Sequence, residues 1–254
     1  MMFQLFRKKQ IRSQSSPSGP KGQRAYVIGD IHGCFAAMKD LLIQIEADNH
    51  KLEASKTSLI FLGDLIDRGP ESKNVLEFLC HYRPNFADVV YITGNHEECF
   101  SRILSGHPQL IYSWFESGGR GTARSYGVEN LGHIHIDVKP VYSQLRNKVP
   151  RSHIDFLSTF KDYHVFGDYL CVHAGIKPKI SLDKQKQKDM HWIRSSFINY
   201  KKRHSHVVVH GHTVVEMAVH MGNRIAIDTG AGKGGYLSCV CLEDDMVRFM
   251  RVKT

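Results

Sequence analysis

The sequence contains short, continuous runs of hydrophobic residues, each of which is bounded by turn residues. The clearest runs cover residues 25–28, 59–62, 89–92, 169–172 and 207–209. Continuous rather than alternating hydrophobicity indicates strands that are buried on both faces, as in α/β proteins. The runs therefore predict an α/β protein.

Helical spacing separates the first three runs. Residues 35–47 place five hydrophobic side chains on one helix face: Phe35, Met38, Leu41, Leu42 and Ile45. Residues 72–82 do the same with Val75, Leu76 and Leu79. The first hundred residues therefore predict a β-α-β-α-β series, which builds a parallel sheet.

The pattern changes twice in the rest of the chain. Residues from about 100 to 160 predict a helical insert that leaves the sheet and is interrupted by glycines. Short strands return at Tyr163, and the last fifty residues predict a β-meander. We expect one domain with two sheets over residues 24–254, because the polar residues that carry the candidate chemistry come from both halves of this range.

Composition excludes several classes of protein. The 254 residues are 42% hydrophobic and 23% charged, which is ordinary for a globular protein and excludes a mostly disordered chain. No apolar run reaches the ~20 residues that a membrane helix needs, so we expect no membrane span. The six cysteines include no C-x-x-C pair and are too sparse for a disulfide scaffold. Free thiols predict a cytoplasmic location.

Residues 1–23 differ from the rest of the chain in charge. They contain five basic residues and no acidic one, within a net charge of +9 for the whole chain. Serine, proline and glycine dominate residues 13–20, and this composition predicts a disordered, solvated tail. The alternative is a segment that is attracted to an anionic membrane surface or to nucleic acid.

The residues that carry chemistry follow the buried runs. Aspartate, histidine or asparagine stands beside glycine after each of the five runs, at Asp30, His32, Asp64, Asn95, His173 and His212. The carboxyl ends of strands line the binding crevice of an open α/β sheet. Asp30, Asp64 and Asn95 are spaced by 34 and 31 residues, about one β-α unit each, so we expect them at one edge of one sheet.

The donor atoms at these positions match a transition-metal site. Carboxylate, imidazole and amide oxygen are ligands of Mn, Fe or Zn, and there are too many of them for one ion, which favours two ions. Asp30 and His32 would share one face wherever strand geometry continues. Alternatives exist for single positions: a turn at Asp30, a helix cap at Asn95, and buried core histidines elsewhere. Their joint occurrence after buried strands favours the metal site.

These positions fall in five blocks that resemble a known family. The blocks are Gly29-Asp30-Ile31-His32-Gly33, Gly63-Asp64-x-x-Asp67-Arg68-Gly69, Gly94-Asn95-His96-Glu97, His173-Ala174-Gly175 and Gly211-His212-Thr213. They resemble the signature of the phosphoprotein phosphatase (PPP) family of metallophosphoesterases, most of all its compact bacterial and phage-type serine/threonine protein phosphatases. Residues 227–231 also resemble that branch. The resemblance covers nearly all of residues 24–254 and implies a catalytic domain with two mainly mixed β-sheets in a sandwich, flanked by helices.

The resemblance implies metal ligands residue by residue. Asp30 and His32 would bind the first ion, and Asp64 would bridge both ions. The second ion would be completed by Asn95, His173 and His212. His210 is a rival of His212, but the family ligand is the histidine inside Gly-His-Thr, so His210 is taken as its neighbour.

The resemblance also implies catalytic and substrate-binding residues. Asp67 would orient His96, and His96 would protonate the leaving group. Arg68 would hold the substrate phosphate. Arg194, in the block Trp192-Ile193-Arg194, would add a second phosphate contact, and its alternative is an arginine on a helix surface.

These residues imply a phosphomonoesterase in which a hydroxide held between two metal ions attacks phosphorus directly, with Mn favoured over Fe or Zn. The first interpretation is a serine/threonine protein phosphatase acting on a phosphoprotein or phosphopeptide, which Glu97, His32 and Arg68 favour. The alternative is a dinucleoside polyphosphate hydrolase, for instance of diadenosine tetraphosphate, because such relatives share the metal blocks. Thr93 stands where eukaryotic members have arginine, so their regulatory partners are not carried over.

A function of another class would use the basic surface. Residues 201–204 and the lysines of residues 184–188 could contact nucleic acid, but no nucleic-acid-binding motif accompanies them. We therefore expect no specific nucleic-acid partner.

Overall fold

The computed structural model describes residues 16–132 and 137–254, which form eleven strands and nine α-helices. The strands are β1 Gln23–Ile28, β2 Lys56–Phe61, β3 Asp88–Tyr91, β4 Tyr163–Phe166, β5 Tyr169–Val172, β6 Val207–His210, β7 Val219–His220, β8 Arg224–Ala226, β9 Asp228–Thr229, β10 Tyr236–Glu243 and β11 Met246–Lys253. The helices are α1 Phe35–Lys51, α2 Ser72–His81, α3 Asn95–Leu104, α4 Ile111–Trp114, α5 Arg120–Ser125, α6 Val138–Lys148, α7 Arg151–Leu157, α8 Gln187–Trp192 and α9 Ser195–Ile198.

The first sheet contains the β-α-β-α-β series that the hydrophobic runs predict. Its strand order is β11-β10-β1-β2-β3, with β9 paired to β10, and β1, β2 and β3 run parallel. Helices α1 and α2 lie where the helical spacing places them, with α1 extending four residues further, to Lys51. The carboxyl ends of β1, β2 and β3 therefore share one edge, as expected.

The second sheet shows that the prediction of a terminal β-meander is wrong. Its order is β4-β5-β6-β8-β7, and β5, β6 and β8 are parallel, whereas β10 belongs to the first sheet beside β1. The physical reason lies in β10, because both of its faces are apolar. Val240 and Leu242 pack between the sheets, and Cys239 and Cys241 pack against the helices. Both faces of a strand are buried only when the strand lies inside a sheet that is covered on both sides, as the first sheet is.

The two sheets enclose one core, and helices cover the outer face of the first sheet. Val27, Val209 and Ile225 belong to the core cluster between the sheets, while Leu41 and Leu76 belong to the cluster under the helices. The predicted α/β sandwich of two mixed sheets flanked by helices is confirmed. The predicted helical insert, residues from about 100 to 160, contains the second half of α3 and all of α4 to α7.

The end of the predicted tail contacts the domain. The backbone N–H of Ser18 donates to Asp168 Oδ2 at 3.0 Å, and that of Gly19 donates to the Asp244 carbonyl at 2.7 Å. The rest of the tail prediction, residues 1–15, lies outside the described residues. Across residues 16–132 and 137–254, no helix is long and apolar enough to cross a membrane. All six cysteines lie in these residues and are free thiols, as predicted.

Candidate active site

The structure brings together the six side chains that the sequence singles out as metal ligands. Asp64 lies between them: its carboxylate is 3.6 Å from His32 Nε2 and 3.4 Å from His173 Nε2. Asn95 Oδ1 is 3.0 Å from His173 Nε2. The loops that follow β1 in the first sheet and β6 in the second sheet meet here. The Asp30 carboxylate accepts the backbone N–H of His212 at 3.1 Å.

At this site, potential ligand atoms form two groups that share one residue. His32, Asp64 and His96 offer atoms within 4.8 Å of one another, and so do Asp64, His173 and His212. Asp30 belongs to neither group, although its Oδ2 is 3.9 Å from His32 Nε2. Two overlapping groups with a common carboxylate match a pair of metal ions bridged by Asp64.

The histidine rings are oriented as metal ligands require. Nδ1 of His32 is 2.9 Å from the Ile66 carbonyl, and Nδ1 of His173 is 2.9 Å from the Leu62 carbonyl. A ring whose Nδ1–H donates to a carbonyl presents the lone pair of Nε2 to the site. Burial lowers the pKa of His32 to about 3 and also lowers that of His173, so both rings are neutral. This donor set fits a metal ion.

Three buried carboxylates add to this argument. Asp30, Asp64 and Asp228 are each no more than 2% exposed. Burial raises the pKa of Asp30 well above its usual range, and the negative charges of Asp228 and Asp64 raise it further. Clustered buried carboxylates are stable only with compensating positive charge. Divalent ions would supply that charge. Asp228 has no role in the sequence-based predictions, so its place in this cluster is a new observation.

The backbone of the site departs from strand geometry. Five non-glycine residues of the site have a positive φ, between 48° and 74°: His32, Asp64, Asp67, Arg68 and His212. The condition under which Asp30 and His32 would share one strand face is not met, because β1 ends at Ile28. Such conformations cost on the order of 1–3 kcal/mol each and concentrate at functional sites. Here they occur at three candidate ligands and at Asp67 and Arg68.

Two glycines permit the close packing of these loops. A Cβ atom at Gly94 would overlap the Asp64 carboxylate, and one at Gly211 would overlap the Asp30 carboxylate. Both positions therefore require glycine for steric reasons.

Glu97 holds the loop that carries Asp64. It is 1% exposed, and its carboxylate accepts backbone N–H groups from Asp64 at 2.8 Å, Leu65 at 2.8 Å and Gly94 at 3.0 Å. Sequence reasoning used Glu97 only to compare substrates and missed this role. The available signal was its position as the third residue of α3, where glutamate commonly forms a capping box.

His96 forms a buried pair with Asp67. Its Nδ1 is 2.6 Å from Asp67 Oδ2, and its Nε2 is 3.8 Å from Asp64 Oδ2. Burial lowers the pKa of His96, but the carboxylates of Asp64 and Asp67 outweigh this and raise it to about 9. With Nδ1 paired to Asp67, Nε2 of His96 faces the cluster.

Two residues of the helical insert, on α4 and α5, form hydrogen bonds with Asp67. Trp114 Nε1 donates to Asp67 Oδ2 at 2.8 Å, and the Thr122 hydroxyl donates to Asp67 Oδ1 at 2.6 Å. The same hydroxyl accepts the Asp67 backbone N–H at 2.9 Å. Neither Trp114 nor Thr122 was predicted, because nothing local in the sequence links them to Asp67.

We expect Thr122→Val to lower the free energy of unfolding by about 2 kcal/mol, because Asp67 loses a buried partner. We also expect kcat to fall on the order of tenfold, since a freer Asp67 orients His96 less well. Urea unfolding and steady-state kinetics measure the two effects. Thr122→Ser keeps the hydroxyl and should retain both properties; equal losses in the two variants would refute the argument.

Arg68 and Arg194 contact residues that belong to different groups of potential ligand atoms. Arg68 Nη1 is 2.5 Å from His32 Nε2, and its Nη2 is 3.5 Å from His96 Nε2. Arg194 Nη1 donates to the His212 carbonyl at 3.4 Å. Arg194 stands between α8 and α9 rather than on a helix surface. Phosphate binding by both residues stays a prediction.

His210, the rival of His212, lies apart from the cluster. Its Nδ1 is 3.0 Å from the Gly211 carbonyl, and its ring packs against Phe197 at a centroid distance of 5.0 Å. It belongs to neither group of ligand atoms, whereas His212 does.

Two mixed sheets whose strand ends gather carboxylates, imidazoles and arginines around one point define a metallophosphoesterase. The chain belongs to the calcineurin-like phosphoesterase family, which it matches over residues 23–236. Members of this family use a centre of two metal ions, and the histidine and aspartate groups described above fit one. The family shown is wider than the phosphoprotein phosphatases that the sequence blocks resemble.

Individual relatives are similar at lower identity. The asymmetrical bis(5'-nucleosyl)-tetraphosphatase PrpE of Bacillus velezensis is 27% identical over 233 residues, which cover 84% of this chain and 86% of PrpE. The crystal structure of a candidate diadenosine tetraphosphatase superimposes with a TM-score of 0.62 at 18% identity, covering 91% of this chain and 94% of that one. A protein serine/threonine phosphatase of Saccharomyces cerevisiae gives a TM-score of 0.54 at 13% identity, covering 94% and 84%.

Proposed function

We propose that this chain is a metal-dependent dinucleoside tetraphosphatase, with diadenosine tetraphosphate as a representative substrate. The observation that carries the proposal is its similarity to a bis(5'-nucleosyl)-tetraphosphatase over 84% of its length. The order of the two sequence-based interpretations is thereby reversed. The protein-phosphatase interpretation relied in part on Glu97, but Glu97 is buried against backbone N–H groups and does not face a substrate.

The placement of positive charge supports a polyphosphate substrate. Arg68 lies at His32, in the first group of ligand atoms, and Arg194 lies at His212, in the second. Asp64 stands between the groups. Guanidinium groups bind phosphate oxygens two at a time, and two of them at separate points can contact successive phosphates of a chain.

The residues of the chain divide the reaction between them. Asp30, His32, Asp64, Asn95, His173 and His212 would hold two divalent ions, and their nitrogen and oxygen donors suit Mn²⁺. When bound, such ions lower the pKa of a water molecule and neutralise phosphate charge. Arg68 orients the phosphoryl group and stabilises charge on its outer oxygens. His96 offers a proton at Nε2 to the departing oxygen while Asp67 holds its Nδ1.

A serine/threonine protein phosphatase is the second candidate. The observation that favours it is the His96–Asp67 pair, at 2.6 Å, with Asp67 held in turn by Trp114 and Thr122. A serine alkoxide is a poor leaving group and needs a proton, whereas a nucleotide phosphate leaves as a stable anion. A firmly positioned acid therefore has more to contribute to a phosphomonoester.

The proposal is tested by assaying the purified chain with added Mn²⁺ on diadenosine tetraphosphate and on a phosphoserine peptide. We expect kcat/KM for the dinucleotide to exceed that for the peptide by at least about tenfold, equivalent to 1.4 kcal/mol of transition-state stabilisation. Chromatography of the products identifies the bond that is cleaved, since one cut gives two ADP and the other gives ATP and AMP.

Removal of the metal is the control for this assay. Excess EDTA should abolish both reactions, and Mn²⁺ should restore them. A higher kcat/KM on the peptide would overturn the proposal in favour of the second candidate. Activity that survives EDTA would contradict both, because each depends on the same ligands.

A further inference from the structure

Trp192 presents an exposed indole in a segment that is otherwise anchored. The side chain is 43% exposed, while its neighbours His191 and Ile193 are 3% and 8% exposed. Met190 and Ile193 belong to the core cluster behind the second sheet. The backbone at Trp192 is therefore fixed, although its ring faces solvent.

Hydrogen bonds hold the indole by its polar edge. Trp192 Nε1 donates to Glu98 Oε2 at 2.8 Å. The same oxygen is 2.9 Å from His191 Nδ1, and His191 Nε2 is 3.1 Å from Asp162 Oδ1. Because the N–H edge is occupied, the ring is oriented before any ligand arrives, and a flat ligand would meet carbon atoms of the indole.

Two hydrogen bonds join the Trp192 segment to elements that carry candidate metal ligands. Glu98 lies in the first turn of α3, which begins with Asn95. The backbone N–H of Ala174, next to His173, donates to the Met190 carbonyl at 2.8 Å. Arg194, the candidate phosphate contact, follows Trp192 by two residues, so one short segment carries both the indole and the guanidinium group.

We propose that Trp192 forms a nucleobase-binding subsite next to Arg194, and this inference rests on the proposed function. One base of the substrate stacks on the indole while the adjoining phosphates reach Arg194 and the metal ligands. Stacking of a base on an aromatic side chain is favourable for every base, because each has a π-face. A ring that is already oriented loses little entropy when the base binds.

Kinetics of Trp192→Ala on two substrates test the subsite. We expect KM for diadenosine tetraphosphate to rise on the order of tenfold, the usual effect of losing one stacking partner. KM and kcat for p-nitrophenyl phosphate, which has no nucleobase, should stay within about twofold. Trp192→Phe keeps an aromatic face without the N–H and should retain most of the affinity. Phe249→Ala removes an exposed aromatic from β11 and should change neither substrate.

Equal increases of KM on both substrates would show a structural role for Trp192 and overturn the subsite. An unchanged KM for the dinucleotide would overturn it as well.

Binding measured by fluorescence separates the subsite from the proposed function. The chain contains two tryptophans, and Trp114 is buried beneath Asp67. With Mn²⁺ present, ADP should quench the emission of the wild type but not that of Trp192→Phe, and inorganic diphosphate should quench neither. Absence of quenching by ADP would overturn the subsite whatever the hydrolysis results. Quenching by ADP without hydrolysis of the dinucleotide would overturn the proposed function and leave the subsite supported.

Discussion

Replacement of Asp64 by asparagine is expected to remove the bound metal ions and abolish hydrolysis together. The Asp64 carboxylate is the one member common to both groups of ligand atoms. Burial raises its pKa, but positive charge on the surrounding histidines, that of His96 among them, lowers it well below the usual range, so it is ionised throughout the physiological range. Asparagine keeps the shape and removes the charge that two cations would share. We expect kcat/KM to fall on the order of a thousandfold or more.

The measurement is metal content by elemental analysis after loading with Mn²⁺ and desalting, beside kcat/KM on p-nitrophenyl phosphate. Asp155→Asn is the matched control, because Asp155 forms an exposed ion pair with Arg151 on α7. Circular dichroism should show both variants folded. Full metal content in Asp64→Asn would mean that the bridge is another residue, and Asp30, which adjoins His32 at 3.9 Å, would be the next candidate.

The fold was predictable where local hydrophobicity determines it. Strands β1, β2 and β5 follow continuous apolar runs because both of their faces are buried. The assignment of β10 to the first sheet was not predictable. It pairs with β1 across more than 200 residues, and a local pattern carries no information about such a partner. The apolar pattern of β10 predicts that both of its faces are buried, but this pattern does not specify to which sheet the strand belongs.

The candidate ligands were predictable from their position after strands, but their supports were not. Thr122 and Trp114 act through hydrogen bonds to Asp67, which is 55 and 47 positions away in the chain. Glu97 holds residues 31 to 33 positions away, besides the nearby Gly94. The left-handed backbone at His32 and Asp64 was not predicted either. Aspartate and histidine adopt a positive φ more often than most other non-glycine residues, but the conformation stays uncommon even for them, so residue type alone does not locate it. The substrate was the least accessible feature, because the metal blocks that carry the resemblance describe the chemistry at phosphorus and not the group attached to it.

Replacement of His96 by asparagine is expected to retain the metal ions and to lower turnover by an amount that depends on the leaving group. Nε2 of His96 is 3.8 Å from Asp64 Oδ2 and its Nδ1 is held by Asp67, so the ring can deliver a proton but is not needed to complete a six-ligand set. Loss of a general acid costs about 10²–10⁴-fold when the leaving group requires a proton. We expect that loss on a phosphoserine peptide, and a much smaller one on p-nitrophenyl phosphate and diadenosine tetraphosphate.

The comparison across leaving groups, with metal content measured in parallel, assigns the residue. Asp67→Asn should rank the substrates in the same order with smaller losses of turnover, because it removes only the partner of His96 Nδ1. Equal losses on all substrates would argue against an acid, and loss of metal would make His96 a ligand, as its place in the first group of ligand atoms allows. The variant also separates the two candidate functions by chemistry instead of affinity. An enzyme whose substrate leaves as a nucleotide tolerates His96→Asn, whereas one that expels a serine alkoxide does not.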